Sequence, residues 1–302
     1  NDPNSDTNEH GDVVAGISSA KTNNGLGVAG IGFNSRFLPV KAMENATGKL
    51  RNEYAGVIYA ANHGAKVINL SWGSPWGYSK FAQDVINYAV LDRDVVVVAA
   101  AGNTHDHIDF YPASFDNVLS VTASDASDNF ANWATYSYKV DIMAPGQSIV
   151  STKGGGGYGN GGFGTSFAAP MVAGAAALVR SKYPNLDARQ VMERLRVTAD
   201  DVSLIGNNSQ FDGKIGKGRL NAYRALIDTL KPSVRLKEFT YRGNYGEYIF
   251  PGDTSRVTDI ETGAALLAQR LAWRRDTRLL TAVAVPATTA VRAIPRSSPG
   301  MR

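Results

Sequence analysis

The sequence predicts an α/β fold in three layers, a mostly parallel sheet flanked by helices, followed by the start of a β-rich C-terminal module. Three observations carry this. Short apolar runs alternate with helical patterns between about residues 12 and 230, the order that builds a parallel sheet. The run Val95–Ala101 is unbroken and apolar, as in a buried strand. Beyond Pro232 the pattern changes to alternation, pairing Val234 with Leu236, Phe239 with Tyr241, and Tyr248 with Phe250.

The elements follow in order. His10-Gly11 opens onto a small, apolar helix pattern over 12–20, and Leu38-Pro39-Val40-Lys41 lies in a strand expected over 37–43. A helix over 52–63 ends at His63, ahead of Gly64, where an imidazole suits the C-terminal end of the dipole. Val67-Ile68-Asn69-Leu70 marks a strand over 66–71, and a helix follows over 79–91. Strands are expected over 94–101 and 118–123. Met171–Val179 is almost wholly apolar, so the helix that starts near Ser166 is buried. Pro184 precedes a helix over 187–198, and a last helix spans 219–230. The α/β domain is read as 1–231 and the beginning of the β-rich module as 232–262. Residues 264–302 hold seven arginines, no lysine and one acid, Asp276. That Ala/Arg-rich tail, 263–302, is read as disordered or out of frame, with an amphipathic helix over 264–275 as the alternative.

Composition excludes several classes of function. With 43% hydrophobic and 19% charged residues, 302 residues suffice for one large core and an appendage. The longest uncharged apolar stretch, Phe167–Val179, is broken by Pro170 and falls short of the roughly 20 residues of a membrane span. Cysteine is absent, so neither a disulfide nor a thiolate metal site can form. The net charge of +4 owes much to the tail, since 8 arginines lie beyond residue 250 and the last lysine is Lys237. No basic patch is interleaved with aromatics, so a nucleic-acid partner is not expected.

Three polar residues stand where chemistry is favoured. Gly164-Thr165-Ser166-Phe167-Ala168-Ala169-Pro170 puts a serine at the mouth of a buried helix, directly after a glycine run. Helix N-termini favour negative charge, and the backbone N–H of Ser166 is placed to help hold an oxyanion. The plain alternative is that Ser166 is an N-cap. His10 heads another small, apolar helix, and Asn103 ends the run Val95–Gly102. The order His, Asn, Ser supplies a base for the serine proton and an amide for a carbonyl oxygen turning negative.

These segments resemble the subtilisin-like serine peptidases, the subtilases. The serine motif Gly-Thr-Ser-x-Ala-x-Pro is met at Gly164–Pro170. The histidine motif His-Gly-Thr-x-Val-Ala-Gly is met at His10–Gly16, except that Asp12 replaces the threonine. Asn103 follows Ala-Ala-Gly as the family's oxyanion asparagine does. Val67–Gly73 resembles the substrate-binding strand, and the likeness runs over about residues 10–230. The resemblance implies a serine endopeptidase acting on polypeptides, with Ser166 as nucleophile, His10 as general base and Asn103 in the oxyanion hole. Peptide would lie along Ser71, Trp72 and Gly73. It also implies secretion.

One part of the family pattern is missing. The third triad member is an aspartate in Asp-Ser/Thr-Gly, and neither Asp2 nor Asp6 is followed by that pair. The chain is therefore expected to open mid-domain and to hydrolyse peptide poorly, or else to be a catalytically dead peptide-binding module. No cofactor or metal is expected. Calcium is conceivable at Asn23–Val28, where some relatives bind it, yet this loop offers too few oxygens alone. Gly25–Gly30 fits G-x-G-x-x-G, but a helix precedes it and a strand follows, the reverse of a dinucleotide site. The glycines of 154–164 read as a flexible approach to Ser166, and His105, Asp106, His107 and Asp109 as loop polarity.

Overall fold

The computed structural model describes residues 9–43 and 49–229, together with four short strands between 240 and 295. It divides into two units, 1–228 and 229–302. In the first, four strands form a parallel sheet in the order β1-β2-β3-β4: Val67–Leu70, Val96–Ala100, Leu119–Ser124 and Ile142–Pro145. Every residue of β2 and β3 is buried, as expected of parallel strands covered on both faces.

Helices α1 (His10–Ser19), α2 (Glu53–Asn62) and α3 (Lys80–Asn87) bracket β1 in the chain, and a π turn, Tyr88–Asp92, extends α3. After β4 come a hairpin, β5 (Val150–Thr152) with β6 (Tyr158–Asn160), then α4 (Thr165–Lys182), α5 (Ala188–Val197) and α6 (Ala222–Ile227). Helix α4 packs on all four strands, so its apolar run becomes the centre of the main core beside Val97, Val98 and Val121. Asp187 starts α5 with a capping box closed by Gln190. Arg196 of α5 is buried between Glu193, at 2.8 Å, and Asp141, whose other oxygen accepts the Ser120 N–H.

Two expectations need correction. Residues 37–43 do not join the sheet: Met43 makes an isolated bridge to Leu50, and Phe37, Leu38 and Val40 are exposed. Pro39 has no N–H to give a ladder, and among the described residues nothing pairs with the outer side of β1. Apolar content without a hydrogen-bonding edge does not make a strand. The glycines expected to be a flexible approach instead include the tip of the β5–β6 hairpin. Gly155, Gly156 and Gly157 all have positive φ, which suits the turn.

The second unit shows β7 (Thr240–Gly243) antiparallel to β8 (Gly246–Ile249), with Tyr241 opposite Tyr248. Farther on, β9 (Leu280–Ala282) pairs antiparallel with β10 (Ala293–Pro295). The expected helix over 264–275 lies outside the described residues, as do Asp2 and Asp6.

Close packing of the Ile31-Gly32 segment on α4 depends on a glycine. A Cβ on Gly174 would stand 2.8 Å from the Gly32 nitrogen and 2.9 Å from the Ile31 Cβ. Backbone cannot yield as a flexible side chain does. Gly174→Val is expected to lower stability by about 1–3 kcal/mol through overpacking, read as a lower urea midpoint at unchanged slope.

Candidate active site

Ser166 is the second residue of α4, and Gly164 holds the N-cap position, so the serine is not the cap. Its hydroxyl is left for other use. A Cβ built on Gly164 would lie 2.9 Å from Ser166 Oγ and 3.5 Å from Asn103 Nδ2. Only a glycine keeps that space clear between a hydroxyl and an amide N–H₂. Pro170 has no N–H to donate to the Ser166 carbonyl, the bond a helix would otherwise make. The Ser71 hydroxyl replaces it, donating to Ser166 O at 2.7 Å.

Asn103 is oriented by the same helix end. Its Oδ1 accepts the Thr165 N–H at 3.0 Å and the Thr165 hydroxyl at 3.0 Å. Because the N–H can only donate, the amide oxygen must face Thr165 and the N–H₂ must face away. Thr165 Oγ1 in turn accepts from Gly102 N–H at 3.1 Å, and the residue is 1% exposed. An asparagine from the end of β2 thus satisfies an orphan donor of α4 in place of an ordinary cap.

His10 begins α1, and its ring lies 5.8 Å from that of Phe167, the residue after Ser166. Val13, Ile17 and Phe167 form a small apolar cluster that seats α1 on α4. The hairpin fixes the same helix from the other side. Ser151 Oγ donates to Val13 O and Thr152 Oγ1 to Asp12 O, each at 2.8 Å. Those hydroxyls cross α1 where a Cβ on Gly16 would sit, so the motif glycine is sterically required. Asp12, in place of threonine, turns a carboxylate oxygen toward the hairpin, 2.9 Å from the Cβ position of Gly154.

Residues 1–218 match the model of the Subtilase family. The chain belongs to the subtilase family. It is 43% identical over 223 residues to the thermophilic serine proteinase of Bacillus sp. (strain AK1), covering 73% of this chain and 53% of that protein. Thermitase of Thermoactinomyces vulgaris is 39% identical over 72% of this chain and 75% of its own. Among solved structures, a protease of Pseudoalteromonas arctica PAMC 21717 superposes with a TM-score of 0.66 at 30% identity. That match covers 72% of this chain and 70% of the other. The chain therefore spans about half the length of the Bacillus relative.

In this subtilase the segment Ser71-Trp72-Gly73 leaves the C-terminal end of β1 beside Ser166. Asn69 Nδ2 donates to Ser71 Oγ at 2.9 Å, completing a relay to the Ser166 carbonyl. Trp72 packs edge-on against Tyr54 with centroids 5.5 Å apart. Gly73 passes so close to Phe110 and Tyr111 that a Cβ would meet Tyr111 O at 2.5 Å. The sequence motifs found Ser71 but not its service to α4, because Pro170 reveals the need only once the helix is built.

Other candidates fall away from this centre. His63 is the C-cap of α2, with Nδ1 2.7 Å from Tyr59 O and its ring stacked on Tyr59. His107 lies against Tyr136 and Tyr138, and His105 Nδ1 meets Asn132 O. Among the described residues, no group of three His, Cys, Asp or Glu side chains is arranged to hold a metal. No described helix is long and apolar enough to cross a membrane.

Tyr54 gives this cleft a titration signature. Burial pushes its phenol up to about 12, with the neighbouring Glu53 charge adding to the shift. Between pH 10 and 12 the folded state then holds a proton that the unfolded chain has lost, so stability falls as pH rises through that window. Ultraviolet titration should show a tyrosine ionising near the top of this range, absent in Tyr54→Phe.

Proposed function

We propose that this protein is a serine endopeptidase that cleaves polypeptides through an acyl-enzyme on Ser166. The observation that carries the reading is the shared space at Gly164, faced by the Ser166 hydroxyl and the Asn103 amide. A carbonyl carbon attacked by Ser166 Oγ puts its oxygen where negative charge develops. The Asn103 N–H₂ and the Ser166 backbone N–H, an orphan donor of the first helical turn, would hold that oxygen. His10 takes the hydroxyl proton as the oxygen attacks and returns it to the leaving amine. Water then repeats the sequence in reverse on the ester. Ser71-Trp72-Gly73 would line the substrate as an added strand. No aspartate in the sequence is followed by Ser/Thr-Gly, so the triad acid is left unassigned.

Labelling by an organophosphonate tests the reading on the full chain. With the triad acid unassigned, the parent should label slowly and hydrolyse peptide poorly; Ser166→Ala should abolish even that adduct, and His10→Ala should slow it further. Asn103→Ala should reduce peptide turnover by about 10²–10³ relative to the parent, the usual cost of one oxyanion donor. Thr165→Val removes the hydroxyl that orients the amide, and should cost about five- to tenfold, near the worth of one neutral hydrogen bond. A protein that binds peptide tightly yet never forms the Ser166 adduct would be a binding module instead.

We also read the protein as secreted, on family likeness, and as needing no cofactor. The loop Asn23–Val28 supplies amide and carbonyl oxygens only, and Asn24 Oδ1 already accepts the Leu26 N–H at 3.1 Å. Calcium prefers six to eight oxygens with carboxylates among them. Calorimetry should find calcium binding weak or absent; a submicromolar site removed by Asn24→Ala would contradict this.

A further inference from the structure

The sequence holds two Asn-Gly pairs, Asn24-Gly25 and Asn160-Gly161, and the fold treats them differently. An asparagine carries an electrophile, its amide carbon Cγ, within reach of the next residue's backbone nitrogen. A following glycine has no Cβ to obstruct the approach. Both pairs are bent for it. Asn24 Oδ1 accepts the Leu26 N–H at 3.1 Å, and Asn160 Oδ1 accepts the Gly162 N–H at 2.7 Å. Each is an Asx turn, which folds the side-chain carbonyl back over the peptide that follows.

The pairs differ at the nucleophile. The Gly161 N–H donates to Ile149 O at 2.8 Å, extending the β5–β6 ladder past Asn160. Among the described residues nothing accepts the Gly25 N–H. Asn24 and Gly25 are exposed, and a Cβ built on Gly25 would have no atom within 4 Å. Attack requires the nitrogen to give up its proton and turn toward Cγ. A ladder hydrogen bond holds that proton and fixes the peptide plane, whereas water exchanges freely.

We propose that Asn24 is a site of spontaneous succinimide formation and deamidation in the folded protein, and that Asn160 is protected by its strand. The Gly25 nitrogen bonds to Asn24 Cγ as the Cγ–Nδ2 bond breaks. The departing nitrogen takes the amide proton and leaves as ammonia. Water then opens the ring at either carbonyl, giving aspartate or isoaspartate. Neither step draws on Ser166, so the proposal stands apart from the peptidase reading.

The consequence follows from how the loop is clamped. Gly30 N–H donates to Ala20 O and Ile31 N–H to Ile17 O, each at 3.0 Å, closing the loop on α1. Inside it, Gly27 lies against the Tyr158 ring, which fills the place a Cβ would take. Isoaspartate routes the main chain through one more carbon, adding about 1.5 Å of backbone to that closed loop. Conversion is thus an irreversible ageing step that loosens Gly27 from Tyr158, in the loop that follows the helix of His10.

The test uses the full chain carrying Ser166→Ala, so that self-digestion cannot intervene, held in mildly alkaline buffer with and without unfolding urea. Trypsin then releases peptides 22–36 and 154–180, and mass spectrometry follows amide-to-acid exchange at each asparagine. In the folded chain Asn24 should convert about fivefold or more faster than Asn160, near the worth of one hydrogen bond. In urea the two rates should converge, because the ladder is gone. Enzymatic methyl transfer to isoaspartate should mark position 24 in step with the mass change. Equal rates in the folded chain would overturn the proposal, as would an Asn24 that converts only in urea. A preference for Asn24 that persists unchanged in urea would put its cause in the neighbouring sequence rather than the fold, and would also reject it.

Discussion

The grip of Thr165 on the Asn103 side-chain oxygen is the contact on which the rest of the site depends. Helix α4 starts at a glycine, which offers no cap, so its first donors need an outside acceptor. Asn103 supplies it through Oδ1. The consequence reaches beyond helix stability. An amide has one acceptor end and one donor end, and fixing the first aims the second. The donor end then faces the space beside Ser166, already oriented before any ligand arrives. Electrostatic stabilisation works best when dipoles need no reorganisation, and on the proposed peptidase reading the Asn103 amide meets that condition.

Around this contact the usual local rules are broken in compensating pairs. Pro170 deprives Ser166 of a helical hydrogen bond, and Ser71 restores one. Gly16 and Gly174 lie within helices, where glycine costs about 1 kcal/mol against alanine. Each makes room for something that a Cβ would displace, the hairpin hydroxyls in one case and the Ile31-Gly32 backbone in the other. Such exceptions gather where elements must approach closely, and they all lie between α1, α4 and the strands' ends. Departures from local preference mark sites whose geometry serves something other than stability.

The sheet was largely legible because β2 and its neighbours are written in unbroken apolar residues that cannot be placed elsewhere. His10, Asn103 and Ser166 were legible as motifs, and the structure sets His10 beside Phe167 and Asn103 beside Ser166. Less could be read where the determining partner is remote. Residues 37–43 have strand-like composition, but pairing is a property of two segments, and only one was in view. Ile142-Met143-Ala144 is too short a run to announce β4. The β5–β6 hairpin hid behind its glycines, although Val150-Ser151-Thr152 and Tyr158 flank them as strands should.

Strand register explains why remote segments meet so closely. Val67 stands opposite Val96 and Leu70 opposite Ala99, so β1 and β2 end level at the same edge of the sheet. In open parallel sheets ligands gather at the carboxyl ends of the strands, where such edges face a helix N-terminus. Here both strands run on into the first turn of α4. Ser71 reaches the Ser166 carbonyl, while the Gly102 N–H reaches the Thr165 hydroxyl. A slip of one residue would turn every side chain of β1 to its other face and withdraw Ser71 from the helix. Isoleucine and leucine at 68 and 70 forbid that slip, since both are buried and neither Val67 nor Asn69 fills the same space. Thus the apolar alternation of β1, which feeds directly into Ser71, decides whether the serine's helix is held at the correct height.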